Sequence, residues 1–307
     1  MGGGTRNRRW VSAGAAVVVA AALAVAGVAT WRGNASHPAA APSASATHRP
    51  VETRTATPTP TPTRSGPAAN TASYDLAALP ALDVYSVNPQ LPVDPDPGGA
   101  MTNLVARAAS AEIPVFADPA SAPTAPPVAK LAQAPRESSG AFPVVVQYTD
   151  WVEVLLVGRQ GVPPAGNSHQ TIGWLRRADV QLASNDTHIE VNLTQHSIDI
   201  VTGTSATHVT SDFAWGTAAT PTPIGRTFVM EVAVNPSLGY TRGHPIVYLA
   251  TQSGTLAGFD GGSVAVTAIH YYDVHQGAIS NGCIRVDAAA IETLDKVPPG
   301  TVVYIKN

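Results

Sequence analysis

His188-Ile189-Glu190-Val191-Asn192-Leu193, followed by Ser197-Ile198-Asp199-Ile200-Val201, decides the fold. Apolar and polar residues alternate with a period of two through both runs, the pattern of strands with one buried face, and the polar connection turns the chain back. Thr202-Gly203-Thr204 marks the next turn, so the segment reads as the start of a β-meander. Further strands are expected at Val209 to Trp215, Thr227 to Val234, Ile246 to Thr251, Val264 to His270 and Val302 to Ile305. One helix interrupts them: Asp287 is the N-cap of Ala288-Ala289-Ala290-Ile291-Glu292-Thr293-Leu294, and Pro298-Pro299-Gly300 ends it. Residues 187–307 therefore form a β-rich unit with a minor helix, large enough for its own core.

Upstream, short apolar runs at Ile113 to Phe116, Val128 to Leu131, Phe142 to Gln147, Trp151 to Val157 and Ile172 to Leu175 predict five strands of a small, wholly antiparallel domain spanning 101–184. Trp151 and Trp174 read as core residues before ligand-stacking ones. No internal repeat joins the two units. This stretch resembles the bacterial Src-homology-3-like barrels found ahead of cell-wall enzymes, where a Gly-Trp pair, here Gly173-Trp174, precedes the last strand. The chain as a whole is expected to be mainly β.

The remainder is unlike a packed domain. Only 13% of the residues are charged and 6% aromatic, against 27 Pro and 26 Gly. Arg6, Arg8 and Arg9 precede an uncharged run from Val11 to Thr30, bracketed by Trp10 and Trp31. At 1.5 Å per residue that run spans about 30 Å, one bilayer core, and the basic flank predicts a cytoplasmic N-terminus. Residues 1–33 read as a signal anchor, or as a cleaved signal peptide with Ala24-Val25-Ala26 as its cleavage site; either places the rest outside the cytosol, membrane-anchored or secreted. Residues 34–100 read as a linker: first Pro, Ser, Thr and Ala, including Thr57-Pro58-Thr59-Pro60-Thr61-Pro62-Thr63, then a partly ordered connector. A net charge of −3 leaves no basic surplus for phosphates, so no nucleic-acid partner is expected.

The single cysteine excludes an intramolecular disulfide framework and a four-cysteine metal site. It lies in Ser280-Asn281-Gly282-Cys283-Ile284-Arg285, after a glycine, on a loop and just before the helix. Glycine permits a sharp turn that presents the thiol and lets the N–H groups of Gly282 and Cys283 face a substrate carbonyl. His270 ends an apolar strand thirteen residues earlier; a histidine in reach can deprotonate the thiol, and Arg285 would favour thiolate. The pair asks for acyl transfer.

Ile269-His270, then Ser280-Asn281-Gly282-Cys283-Ile284-Arg285, with Thr222-Pro223-Ile224-Gly225 and Val229 upstream, resembles the YkuD-type L,D-transpeptidases of bacterial cell walls, from about His188 to Lys306. The order of anchor, tether, small barrel and this domain is similar to actinobacterial members. The resemblance implies that Cys283 attacks the carbonyl of the third residue of a peptidoglycan stem peptide and expels the terminal D-alanine. His270 then serves as base and acid, the backbone around Ser280, Asn281, Gly282 and Cys283 holds the oxyanion, and Arg285 either takes a substrate carboxylate or pins the loop by a salt bridge. A second stem's amine completes a cross-link between third residues. Tyr271 and Tyr272 depart from the small residue usual after the histidine, and the nine-residue spacer is short. The orienter of the imidazole is thus open between Asp273 and a backbone carbonyl, with His275 a rival base. His188, His196, His208 and His244 lack metal-ligand spacing, and neither metal nor cofactor is expected. Two other functions stay open: an L,D-carboxypeptidase on the same residues, and a non-catalytic wall-binding protein.

Overall fold

The computed structural model of the chain describes residues 64–120 and 126–307. The expected anchor, and the linker up to residue 63, lie outside the described residues. Among the described residues no helix is long and apolar enough to cross a membrane.

The described chain is mainly β. Seven strands come first: β1 (Leu104–Ala108), β2 (Glu112–Val115), β3 (Ala129–Ala132), β4 (Phe142–Gln147), β5 (Trp151–Leu155), β6 (Ile172–Arg176) and β7 (Val180–Ser184). They form an antiparallel sheet of order β6-β5-β4-β1-β7 and a β2-β3 ladder. Trp151 is fully buried, edge-on to Phe116 at 5.1 Å, with its indole N–H donating to the Ala68 carbonyl. Trp174 stacks on Tyr148.

The second set is β8 (Thr187–Asn192), β9 (Ser197–Thr202), β10 (Ser205–Thr210), β11 (Phe213–Gly216), β12 (Gly225–Ala233), β13 (Ile246–Gln252), β14 (Val266–Tyr271), β15 (Gly277–Ser280), β16 (Ile284–Val286) and β17 (Val302–Lys306), with α1 (Ala288–Leu294) before the last. Their sheet runs β10-β9-β8-β17-β12-β13-β14-β16-β11-β15. The Asp287 carboxylate accepts from the Ala290 N–H, capping α1 as expected.

Side-chain alternation gives this sheet two different faces. Val229, Val247, Leu249, Ile269 and Ile284 point to one core, which α1 closes with Ala290, Ile291 and Leu294. Phe228, Met230 and Ala250 point the other way, into the core built by β1 to β7. The two strand sets thus share a continuous core on that face, and β14 continues across it toward the cysteine loop.

Several expectations are corrected. Residues 64–100, expected to be linker ending in a partly ordered connector, are held by packing: Leu82, Val84 and Leu91 are fully buried, and Asp94 makes a bidentate pair with Arg226 at 2.7 and 2.8 Å. The segment is irregular, tied down by side chains such as Asp83 and Asn88 that accept from backbone two residues on, so it has no period to read. The expected strand from Val209 to Trp215 is two strands, β10 and β11, broken at Ser211-Asp212, where the Asp212 N–H turns onto the Thr210 hydroxyl. β1, β7, β15 and β16 were not expected; the last two, four and three residues long, flank the thiol where only a loop was read.

Candidate active site

The parallel pairing of β14 with β16 sets Ile269 beside Ile284 and His270 beside Arg285. Both isoleucines belong to the core under α1. By alternation His270, Tyr272, Cys283 and Arg285 all leave the opposite face, so Cys283 and His270 are diagonal neighbours on it. Strand register, more than loop closure, brings the pair together.

The cysteine loop is clasped from inside. Gly282 has φ +112°, a conformation that only glycine adopts without strain. Its N–H donates to Ser280 Oγ at 3.1 Å, and that hydroxyl donates to the Cys283 carbonyl at 2.5 Å. From outside, Thr222 Oγ1 donates to the Gly282 carbonyl and accepts the Gly216 N–H, both at 2.9 Å, while Thr220 Oγ1 and the Thr217 N–H donate to the Ser280 carbonyl. Thr222 and Ser280 are buried. The Gly282 N–H is therefore spent on the clasp and is withdrawn as an oxyanion donor. Asn281 is exposed, its side-chain oxygen 3.5 Å from the Thr220 hydroxyl.

His270 is 5% exposed, and its Nδ1 lies 2.8 Å from the Tyr271 carbonyl. A carbonyl only accepts, so Nδ1 carries the proton and Nε2 keeps its lone pair, the tautomer a base needs. Burial lowers the imidazole's pKa; the Tyr271 carbonyl opposes this and the Arg285 charge adds to it. Cys283 is a free, partly exposed residue whose sulfur sits 3.9 Å from the Val266 carbonyl. Burial of the thiol raises its pKa, against the lowering influence of the Ala268 backbone and Arg285. Arg285 does favour thiolate, as expected, but desolvation wins. The resting pair is a neutral thiol beside a neutral imidazole.

The other expected residues divide. Asp273 does not orient His270: its carboxylate is held by Arg242 at 2.5 Å and by the Tyr271 hydroxyl at 2.9 Å, and these two partners keep its pKa low. The backbone carbonyl takes the orienting role. His275 is directed elsewhere, with Nδ1 2.9 Å from the Tyr272 carbonyl and Nε2 3.5 Å from Asp212. Arg285 has no carboxylate within ion-pair distance among the described residues, so the loop-pinning salt bridge is absent there; its guanidinium instead lies 4.0 Å over the Tyr272 ring. His188 and His244 neighbour Glu190 and Glu292, His208 bonds Asp199, and His196 packs on Trp215. No group of side chains suited to a metal ion occurs among the described residues.

Two groups of residues escaped the sequence reading. Tyr240, 42% exposed on a short turn of helix at Gly239–Thr241, places its ring 5.3 Å from His270 and 5.7 Å from Tyr272. Nothing local marks it, because it comes from a connection thirty residues upstream. Of the bracing threonines only Thr222 lay in a turn already singled out, with Thr217 and Thr220 just before it, and hydroxyl partners are not legible from a turn motif.

Residues 186–305 match the family model of YkuD, the L,D-transpeptidase catalytic domain. No curated protein matched the chain. Among solved structures, an L,D-transpeptidase from Mycobacterium tuberculosis H37Rv is similar at 13% identity, with 52% of this chain and 91% of that one covered and a TM-score of 0.30. One from Stackebrandtia nassauensis shares 15% identity over 40% of this chain and 56% of its own, with a TM-score of 0.29. One from Enterococcus faecium shares 26% over 39% and 50%, with a TM-score of 0.25.

Proposed function

We propose that the chain is a peptidoglycan L,D-transpeptidase acting through a Cys283 thioester. The observation that carries this reading is the shared sheet face of Cys283 and His270, with the imidazole held in its basic tautomer by the Tyr271 carbonyl; the family match over residues 186–305 supports it. Sγ attacks the carbonyl of the third stem residue as His270 Nε2 takes the thiol proton. The bond to the terminal D-alanine breaks, and His270 returns the proton to the departing amine. The side-chain amine of a second stem then attacks the thioester, His270 takes its proton, and the thiol is regenerated. Starting from the neutral pair, proton transfer accompanies attack instead of preceding it. With the Gly282 N–H engaged, the N–H groups of Asn281 and Cys283 are the candidates for the oxyanion.

In this reading residues 1–33 anchor the protein in the cytoplasmic membrane and the Pro-, Ser-, Thr- and Ala-rich residues after them tether it toward the wall. Residues 101–184 form a Src-homology-3-like barrel that, with the packed 64–100 segment, flanks the catalytic sheet. Product analysis tests the reaction: a tetrapeptide donor with an acceptor stem is expected to yield a dimer joined between third residues. Tripeptide as the sole product would assign the site to an L,D-carboxypeptidase, and recovery of unchanged donor would leave a wall-binding role.

A further inference from the structure

Regular pairing does not fix the start of β14. Against β13 the ladder runs Ile246 with His270, Val247 with Ile269 and Tyr248 with Ala268, then shifts, and the next pair is Gln252 with Val266. The ladder is broken over that bulge, so the placement of Val266 depends on other bonds. Placement matters there, because the Val266 carbonyl faces the Cys283 sulfur at 3.9 Å and the same strand carries His270. The other bonds come from the first strand set. In the β5–β6 connection, residues 156–171, Arg159 Nη2 donates to the carbonyls of Ala257 and Ser263 at 2.9 and 2.8 Å, closing the neck of the β13–β14 loop. Ser168 Oγ donates to the Ser253 carbonyl at 2.7 Å, and Gln252 links the Val84 carbonyl to the Ala265 N–H. Arg159 is itself fixed from behind, its N–H donating to the Ser86 carbonyl and its carbonyl accepting the Asn88 N–H. Its side chain is a costly way to make two hydrogen bonds. The residue is 2% exposed, its Nε and Nη1 are buried with no partner, and no carboxylate lies within ion-pair distance among the described residues. Packing alone would be served as well by an apolar side chain. What Arg159 adds is one cationic nitrogen bridging carbonyls on the two sides of the loop.

We infer that Arg159, with Ser168 beside it, is a positioning residue for the reaction: from the first strand set it fixes the start of β14, and through that strand the placement of Cys283 Sγ against His270. The inference rests on the acyl-transfer reading above. It makes the β5–β6 connection a working part of the active site, although neither side chain touches the reacting atoms.

The test follows acylation of Cys283 by a tetrapeptide donor, read by intact mass in the full-length protein at a temperature where circular dichroism shows each variant folded. Arg159→Met keeps most of the side chain's length and removes the bridging nitrogen. It is expected to stay within about 5 °C of the wild-type Tm, because an unpaired buried charge leaves with it. Its kcat should fall at least about tenfold with KM unchanged, the scale of a small misplacement of reacting groups. Arg159→Lys, which can present a cationic nitrogen to the same two carbonyls, should recover most of that loss. Ser168→Ala deletes a single oxygen at the other end of the loop, a change too small to prevent folding, and should lower kcat about threefold with KM unchanged. Wild-type kcat in Arg159→Met or in Ser168→Ala would overturn the inference, and so would a loss confined to KM or a lysine variant no faster than the methionine one. No acylation of wild-type protein would overturn the thioester reading instead. The inference is then read from alkylation of Cys283 by uncharged iodoacetamide at neutral pH, which needs the same imidazole beside the thiol: Arg159→Met should slow it several-fold, and an unchanged rate would overturn the positioning role.

Discussion

Thr222→Val removes one hydroxyl and little else, and the structure says what that hydroxyl does. Thr222 is 3% exposed; its oxygen accepts the Gly216 N–H and donates to the Gly282 carbonyl, each at 2.9 Å. Valine fills nearly the same volume but leaves both backbone groups unpaired in a dry place, at about 1–3 kcal/mol each. A total near 3 kcal/mol is expected, which for a unit of this size lowers Tm by roughly 6–12 °C. The loss falls on the cysteine loop, because Gly282 immediately precedes Cys283. If about half of it is also felt on reaching the transition state, acylation slows roughly tenfold. Thr222→Ser keeps the hydroxyl and should stay within about twofold of wild type. Stopped-flow acylation and thermal melts of the three proteins decide the matter. A Thr222→Val protein with unchanged Tm and unchanged acylation would refute the bracing argument, and loss of Tm with full activity would show that the brace serves the fold alone.

His270→Ala should lower the acylation rate by at least about 10²-fold, the scale of general-base assistance, whereas His275→Ala, whose ring faces Asp212, should cost far less; single-turnover rates compare them. Because burial lowers the His270 pKa, the acid limb of the rate should fall below about pH 6.5, where the imidazole begins to protonate. Arg285→Gln removes a positive neighbour, makes imidazolium less unfavourable, and should move that limb to higher pH; an unmoved limb in a pH–rate profile would contradict the electrostatic account. Asp94→Ala leaves the Arg226 guanidinium buried and unpaired at 4% side-chain exposure, and should cost about 3–5 kcal/mol in denaturant melts; a free connector would give no change.

What could be read from the sequence followed period and punctuation. Strands such as Phe142–Gln147 and Ile246–Gln252 alternate or run apolar over enough residues to show, and Asp287 before an alanine-rich run announces α1. β15 and β16 escaped because four and three residues carry no period, and their pairing with β11 and β14 is settled by partners sixty and fifteen residues away. The packed 64–100 segment escaped for a related reason: its apolar residues are few and irregularly spaced, yet Leu82, Val84 and Leu91 are fully buried. In the site, Cys283, His270 and Arg285 are named by local sequence. The roles of Tyr240, Tyr272 and Thr222 depend on approach through space. The orienting group was hardest to read, since a backbone carbonyl has no letter of its own, and Asp273, the lettered alternative, is taken by Arg242.

The central claim is that Cys283 forms a thioester with the donor. Incubating the protein with a tetrapeptide stem and no acceptor, then digesting and sequencing the modified peptide by mass, locates the acyl group. The account predicts a mass gain equal to the donor less its terminal D-alanine, carried on Cys283 and removed by hydroxylamine, and none in Cys283→Ala. An adduct on another residue, or cross-linking that persists in Cys283→Ala, would contradict it.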